Sequence, residues 1–150
     1  MTTEEVVRWI RLEHEKVEYL SDELRKVVAY IPRANMQAWI SDAGRVFEHF
    51  RAHVIKHMAL EEREGYLVAV SERRPALATQ VERLKHEHIE LGRILDEIAR
   101  GLTAVCVDDR LLIRDLCRRI DNLLGYVEHH ENEENLLVTS AFTFDIGTTD

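Results

Sequence analysis

Two histidine–glutamate pairs stand at four-residue spacing, one at His57 and Glu61 and the other at His130 and Glu134. Residues four apart on a helix lie one above the other on the same face. Each pair continues an apolar stripe of that spacing, and a stripe of this kind faces the interior of a helical bundle. The stripes are Met36, Ile40, Ala43, Phe47, Phe50 and Val54, and Ile113, Leu116, Ile120, Leu123, Val127 and Leu137. Since an unpaired carboxylate is costly to bury, both pairs indicate a bound metal ion.

Two further histidines, His14 and His88, occupy core positions on apolar stripes of their own. One such histidine, or one pair, can be explained by packing or by a surface ion pair. The coincidence of all six residues on four separate stripes favours metal binding instead. Four imidazoles and two carboxylates exceed the needs of a single ion. The mixed nitrogen and oxygen set favours two iron atoms over one structural zinc.

His53 is a candidate fifth histidine ligand, because it lies one turn before His57. The complete set of candidate metal ligands is His14, His53, His57, Glu61, His88, His130 and Glu134. His86 lies about 200° round the helix from His88 and is expected to face solvent. Tyr126 could donate a hydrogen bond near the site, although packing is its expected role. Two histidines beside the stripes, either exposed or in a supporting position, are His49 and His129.

The four stripes predict four amphipathic helices, bounded by capping residues, proline and glycine. The boundaries are Thr2 or Thr3 and Pro32 for the first, about 34 and 64 for the second, Pro75 and Gly101 for the third, and Asp108 or Asp109 and Val138 for the fourth. The segment 65–75 is expected to hold a short helical turn at most. The tail after Val138 is predicted to be a loop, docked in part through Phe142 and Phe144.

Four long helices with short connections predict an all-α, up-down-up-down antiparallel four-helix bundle, as one domain over residues 1–150. Antiparallel neighbours bring the start of one helix beside the end of the next. His14 lies early in its helix, whereas the two histidine–glutamate pairs lie late in theirs. All six core polar residues can therefore meet near one end of the bundle.

The composition is typical of a globular domain without a nucleic-acid partner. The chain has 150 residues, 45% of them apolar, and a formal charge of −8. Nucleic-acid phosphates require a basic face, which this charge disfavours. There is no apolar run long enough for a membrane span and no signal-peptide layout at the start. Cys106 and Cys117 fit neither a disulfide scaffold nor a metal finger, so we expect a cytoplasmic location with no membrane partner.

The combined motifs resemble those of the hemerythrin-like domains, also called the HHE cation-binding family. The matching segments are LEHEKV at His14, HMALEE from His57, KHEHIEL at His88 and HENEENLL from His130. The resemblance covers nearly the whole chain and implies a hemerythrin-like bundle with two non-haem iron atoms, bridged by carboxylates and oxygen. The implied bridging residues are Glu61 and Glu134, and the implied terminal ligands are His14, His57, His88 and His130.

Two departures from the oxygen-carrying hemerythrins affect the expected function. Those carriers use a His-x-x-x-His pair on the third helix, whereas Leu84 and Gly92 stand one turn either side of His88 here. They also end with a histidine and an aspartate five apart, whereas the last pair here is a histidine and a glutamate four apart. One iron therefore lacks a protein ligand unless His53 supplies it. An open position of this kind can take water, oxygen, nitric oxide or peroxide, and it weakens a simple carrier interpretation.

Three functions remain open at this point. The first is binding of oxygen, nitric oxide or peroxide at a di-iron centre, as a sensor, carrier or store. The second is an enzyme-like redox use of the same centre, such as peroxide or nitric oxide handling or iron donation for repair. The third is protein contact, with a structural metal and a partner that the sequence does not identify. The ferritin-like di-iron class is rejected. It requires a Glu-x-x-His motif, and no carboxylate stands three residues before any histidine of this chain.

Overall fold

The computed structural model of the chain describes residues 2–63 and 65–143. Its helices in these ranges are α1 (Thr3–Val28), α2 (Met36–Arg63), α3 (Tyr66–Arg73), α4 (Ala78–Ala104) and α5 (Arg110–Val138). A 3₁₀ turn, Pro75–Leu77, precedes α4, and a π-helical turn, Thr139–Thr143, follows α5. The described residues contain no strand, which confirms the predicted all-α fold. None of the described helices is both long and apolar enough to cross a membrane.

The four long helices, α1, α2, α4 and α5, are those predicted from the apolar stripes, and each runs antiparallel to its neighbours. Trp39 Nε1, near the start of α2, donates to the carbonyl oxygen of Val27 at the end of α1, at 3.1 Å. Arg83, early in α4, pairs with Glu133, late in α5, at 3.3 Å. α2 also packs on α4, and α5 packs on α1. These contacts close the ring and confirm the up-down-up-down bundle.

The helix boundaries agree with the predicted ones at the start of the chain and differ at Gly101. At the start of α1, Thr2 Oγ1 accepts from the backbone of Glu5 at 3.2 Å, and Glu5 Oε2 accepts from the backbone of Thr2 at 2.7 Å. The predicted end at Gly101 is wrong, because α4 continues to Ala104. A Cβ at Gly101 would lie 2.6 Å from Cδ2 of Leu116. Gly101 therefore allows α4 and α5 to approach closely and does not terminate the helix.

Two connecting segments are more regular than their sequences indicate. The segment after α2, for which a short turn was the expectation, contains the eight-residue helix α3. The tail after Val138, predicted to be a loop, begins with the π-helical turn, in which Ala141 and Phe142 are buried. Docking through Phe142 is thus confirmed, whereas Phe144 lies outside the described residues.

Two apolar clusters fill the bundle, one on either side of a polar layer. The large cluster includes Val17, Leu24, Phe47, Phe50, Val54, Leu91, Leu95, Ile98, Ile120, Leu123 and Val127. The small cluster joins α3 to the nearby ends of α1, α4 and α5, through Val6, Ile10, Tyr66, Leu67, Val70, Val81, Leu84, Leu137, Val138, Ala141 and Phe142. Along α1, α4 and α5, the core polar residues stand between members of these two clusters. The polar layer therefore lies toward one end of the bundle, covered at that end by the small cluster.

Candidate metal centre

Six of the seven predicted ligands are buried in the polar layer, each placed there by its position on an apolar stripe. They are His14, His57, Glu61, His88, His130 and Glu134. Glu61 and Glu134 are 0% exposed. Because each glutamate follows a histidine by one helical turn, the two side chains of a pair extend from the same helix face into the same layer. The four long helices thus contribute four imidazoles and two carboxylates to the polar layer.

These six residues form two groups of four that share Glu61 and Glu134. One group adds His14 and His57, the other adds His88 and His130, and the candidate ligand atoms of each group lie within 4.8 Å of one another. In the first group, His57 Nε2 lies 3.1 Å from Glu61 Oε1 and His14 Nε2 lies 3.3 Å from Glu134 Oε1. In the second, His88 Nε2 and His130 Nε2 each lie 3.5 Å from one of the same two carboxylates. Both glutamates are therefore within reach of both groups.

The inner atoms of this layer have no hydrogen-bond partners among the described residues. The atoms concerned are Nε2 of His14, His57, His88 and His130, both carboxylate oxygens of Glu61, and Oε1 of Glu134. Buried polar atoms are normally hydrogen-bonded, so such a concentration of unpartnered atoms needs an explanation. Imidazole nitrogen and carboxylate oxygen are common ligands of iron and zinc. The donor set therefore fits a bound cation.

A ring of outer side chains orients the histidines, and each comes from a neighbouring helix. His14 Nδ1 donates to Asn135 of α5 at 2.9 Å, and His88 Nδ1 donates to Glu62 of α2 at 2.8 Å. His130 Nδ1 donates to Glu87 of α4 at 2.7 Å. In the fourth case, Glu13 of α1 approaches His57 Nδ1 at 3.6 Å, which is too long for a hydrogen bond. With the proton on Nδ1, a neutral ring keeps the lone pair of Nε2 for the interior of the layer.

The pKa shifts in this layer reflect burial and the interactions among its carboxylates and imidazoles. Burial and the neighbouring Glu134 raise the pKa of Glu61 well above its usual range. Burial opposes ionisation of Glu134 too, but interactions with Glu61 and His14 outweigh it and lower that pKa. Glu61 therefore takes up a proton more readily than Glu134. Burial lowers the pKa of His57 to about 4, so its imidazole is neutral near pH 7.

Tyr66, at the start of α3, makes a direct contact with the centre that the sequence did not predict. Its hydroxyl donates a short hydrogen bond to Glu134 Oε2, and its side chain is buried. Burial and the nearby carboxylates of Glu134 and Glu61 raise the pKa of Tyr66, so the phenol keeps its proton. Tyr66 therefore supplies a hydrogen-bond donor to the shared carboxylate from the side covered by the small cluster.

His53, the seventh predicted ligand, lies outside both groups. Its side chain is 22% exposed, and its Nε2 lies 3.5 Å from Glu13 Oε2 rather than near Glu61 or Glu134. His86 is exposed and pairs with Glu90, which confirms its predicted solvent-facing position. Tyr126, for which packing was the expectation, is 54% exposed. The two histidines beside the stripes are exposed as well, His49 and His129.

The supporting residues share a sequence signal that helix periodicity alone does not reveal. Each stands one position before or after a core ligand: Glu13, Glu62, Glu87 and Asn135. A neighbour in sequence lies 100° round the helix, at the boundary with the adjacent helix. Polar residues beside core histidines are therefore the signal that could have found them. Tyr66 had no such signal, because it lies beyond the end of α2 in a segment without a long apolar stripe.

Comparison with protein families gives one match over most of the chain. The model of a family described as hemerythrin HHE cation binding domain matches residues 5–141. The matched range includes all six buried ligand candidates, His53 and Tyr66. In the same comparisons, no curated protein and no solved structure gives a significant match.

Proposed function

Because the chain belongs to the hemerythrin HHE cation-binding domain family, we propose that it is a non-haem di-iron protein that binds or senses oxygen, nitric oxide or peroxide. The observation that carries this proposal is the pair of four-residue groups joined by Glu61 and Glu134. A single structural zinc would need four ligands, and here six buried residues are arranged around two positions. The two glutamates would bridge two ions held within the layer.

The remaining ligands divide evenly between the two positions. His14 and His57 would hold one ion, and His88 and His130 would hold the other. His53 is not required, since its nitrogen lies beside Glu13 and away from the shared carboxylates. When bound, iron would supply redox chemistry and an exchangeable position for a ligand. The chain's own contribution is to fix the imidazoles through the outer ring and to exclude bulk water from the layer.

Burial of the centre favours a small ligand over an organic substrate. All six ligand candidates are buried, and apolar clusters cover the layer on both sides. The Trp9 ring also stacks on His57, with ring centres 5.6 Å apart. A diatomic molecule or peroxide can reach such a site through small fluctuations, whereas a larger substrate would need the bundle to open.

A redox use of the centre is the second candidate, and Tyr66 is the observation that favours it. The Tyr66 hydroxyl donates a hydrogen bond to Glu134 inside the layer, and a tyrosine in contact with a metal-binding carboxylate is a residue type that can take part in proton transfer. Peroxide handling, nitric oxide handling and iron donation for repair all belong to this candidate. The redox candidate uses the same six metal ligands as the binding candidate. The two therefore predict the same metal binding but different rates of iron oxidation by oxygen or peroxide.

The experiment is to load the protein with Fe²⁺ without oxygen and mix it with oxygen, peroxide or nitric oxide in a stopped-flow spectrometer. We expect rapid oxidation by oxygen or peroxide, with an optical change that degassing does not reverse. An optical change that degassing does reverse would support the carrier interpretation and contradict this expectation. A loaded protein that is inert to all three ligands would overturn the proposal and favour a structural metal.

A further inference from the structure

Glu131 lies beside the polar layer and has a buried carboxylate oxygen that nothing in the described residues satisfies. It follows His130 on α5, and its side chain is 14% exposed. Oε2 of Glu131 is buried without a hydrogen-bond partner, and it lies 3.7 Å from His14 Nε2. An unpaired buried carboxylate destabilises a fold unless a cation or a donor compensates it. Oε2 of Glu131 therefore has room for a further interaction, and the basic group that it approaches is the His14 imidazole.

Arg25, a basic side chain in the same cavity, pairs with other carboxylates. Arg25 lines the same surface cavity as Glu131, which lies between α1 and α5. The guanidinium of Arg25 pairs instead with Asp22 at 3.2 Å and with Glu128 at 3.4 Å. The described group that Glu131 approaches is His14, through the ring nitrogen that points into the layer.

The geometry separates Glu131 from the outer ring of supporting side chains. Glu62, Glu87 and Asn135 each accept from the outer nitrogen, Nδ1, of a histidine. Glu131 faces Nε2 of His14, the nitrogen that lies 3.3 Å from Glu134 and belongs to the first group of ligands. Glu131 therefore approaches the nitrogen that would bind the cation. It does not approach Nδ1, the nitrogen that carries the ring proton.

Resting on the proposed function, we propose that Glu131 is a seventh protein ligand, specific to the ion held by His14 and His57. Two ligand atoms at right angles on one ion lie ~3 Å apart. Glu131 lies outside the group of four, and its Oε2, 3.7 Å from His14 Nε2, would have to move toward the ion to bind it. The ion at His14 and His57 would then have five protein ligands, and the ion at His88 and His130 would have four. The exchangeable position would fall on the second ion.

The test uses Co²⁺ titration of the metal-free protein, because the absorption of Co²⁺ reports its coordination number. We expect wild type to bind two Co²⁺ ions. Glu131→Gln should weaken one of the two sites by roughly tenfold or more and shift its absorption toward lower coordination. Glu131→Asp keeps the charge but places the carboxylate one methylene further from the ion. If the Glu131→Gln protein does not fold, Glu131→Asp replaces it and should weaken the same site. The matched control is Glu128→Gln, on the same helix and cavity but with a side chain 68% exposed, and it should change neither site.

Single-site backgrounds assign the effect to one ion. In His88→Ala, which keeps the ion at His14 and His57, Glu131→Gln should still weaken binding. In His14→Ala it should have no further effect. Equal effects in both backgrounds, or a Glu131→Gln protein that matches Glu128→Gln, would overturn the role of Glu131 and leave the di-iron proposal intact. A wild-type protein that binds a single Co²⁺ would instead overturn the di-iron proposal itself.

Discussion

Glu61 and Glu134 have no exposed surface, and the basic side chains among the described residues that approach their carboxylates are the four core histidines. Leaving a buried carboxylate unpaired costs several kcal/mol, whereas two cations between the carboxylates and four imidazoles would satisfy every inner atom. Burial and the neighbouring Glu134 raise the pKa of Glu61, so this carboxylate resists ionisation unless a positive charge lies beside it. Glu61 and Glu134 are therefore the two residues whose burial a bound cation would stabilise most.

We predict that Glu61→Ala and Glu134→Ala each lower metal affinity by more than ~100-fold, because a bridging carboxylate serves both ions. His86→Ala, at an exposed position far round α4 from His88, should retain the full metal content. Metal analysis after equilibration with a competing chelator gives the comparison. If His86→Ala emptied the centre, the placement of α4 in this account would be wrong.

Tyr66→Phe should leave the metal content unchanged and alter the behaviour of Glu134. Removing the hydroxyl leaves Glu134 Oε2 without its donor, so the unfolding free energy of the metal-free protein should fall by about 1–3 kcal/mol. Tyr126→Phe, at an exposed tyrosine, is the matched control and should have no effect. Chemical denaturation of both variants measures the difference. Equal stability of the two variants would show that the Tyr66 hydrogen bond contributes nothing.

The six buried candidates were predictable from sequence because a core position repeats with the helix and each of these residues keeps that repeat. Glu131 and Asn135 were not, because each lies one residue off the stripe. Whether such a residue faces solvent or a neighbouring histidine depends on which helix packs beside it. His53 shows the reverse case: it lies one turn from His57, but its ring approaches Glu13. The periodicity of the sequence identifies which side chains lie on the buried face of a helix. The surroundings of side chains at the edge of that face depend on contacts between helices, which periodicity does not predict.

The outer ring links three of the four neighbouring pairs of long helices by hydrogen bonds. Glu62 of α2 holds His88 of α4, and Glu87 of α4 holds His130 of α5. Asn135 of α5 then holds His14 of α1. Three of the four core histidines are therefore oriented by a helix other than their own, so small shifts between helices would disturb the centre. The order and direction of these helices followed from the apolar stripes, whereas the position of α3 did not, because eight residues carry too few repeats.

Gly65, between α2 and α3, sets the path that brings Tyr66 to the centre. A Cβ at this position would overlap the backbone carbonyl of Glu61, so a side chain must displace one helix end from the other. We predict that Gly65→Ala destabilises the fold by about 1–3 kcal/mol and lowers the metal content. Thermal unfolding and metal analysis measure both effects.

The control for this prediction is Gly92→Ala, because a Cβ at Gly92 would meet no atom within 4 Å. In a helix interior with free space, alanine should raise stability by up to ~1 kcal/mol. A Gly65→Ala protein as stable and as metal-rich as Gly92→Ala would contradict the close approach of Glu61 and Gly65.

The polar layer separates two apolar clusters that would otherwise form one continuous core. Along α1, α4 and α5, the core histidines and Glu134 stand between members of the large and small clusters. With metal bound, the layer joins the four long helices as a cross-link. Without metal it is a set of unpartnered acceptors between two apolar regions.

Removal of the metal should therefore lower the stability of the entire bundle. A ligand at 1,000 times its dissociation constant adds about 4 kcal/mol of stability, which corresponds to a melting-temperature difference of roughly 10 °C for a domain of this size. Calorimetry with and without a chelator measures this difference. Glu134→Ala should show a much smaller response to the chelator. An unchanged melting temperature in the wild type would count against a buried site.

The most direct test of the di-iron centre is the number of iron atoms bound by one chain. The metal-free protein is titrated with Fe²⁺ under anaerobic conditions, and bound iron is measured against protein concentration. Because Glu61 and Glu134 lie within reach of two groups of histidines, we predict saturation at two iron atoms per chain. Saturation at one ion, or stable retention of a single zinc with iron excluded, would contradict the carboxylate-bridged centre.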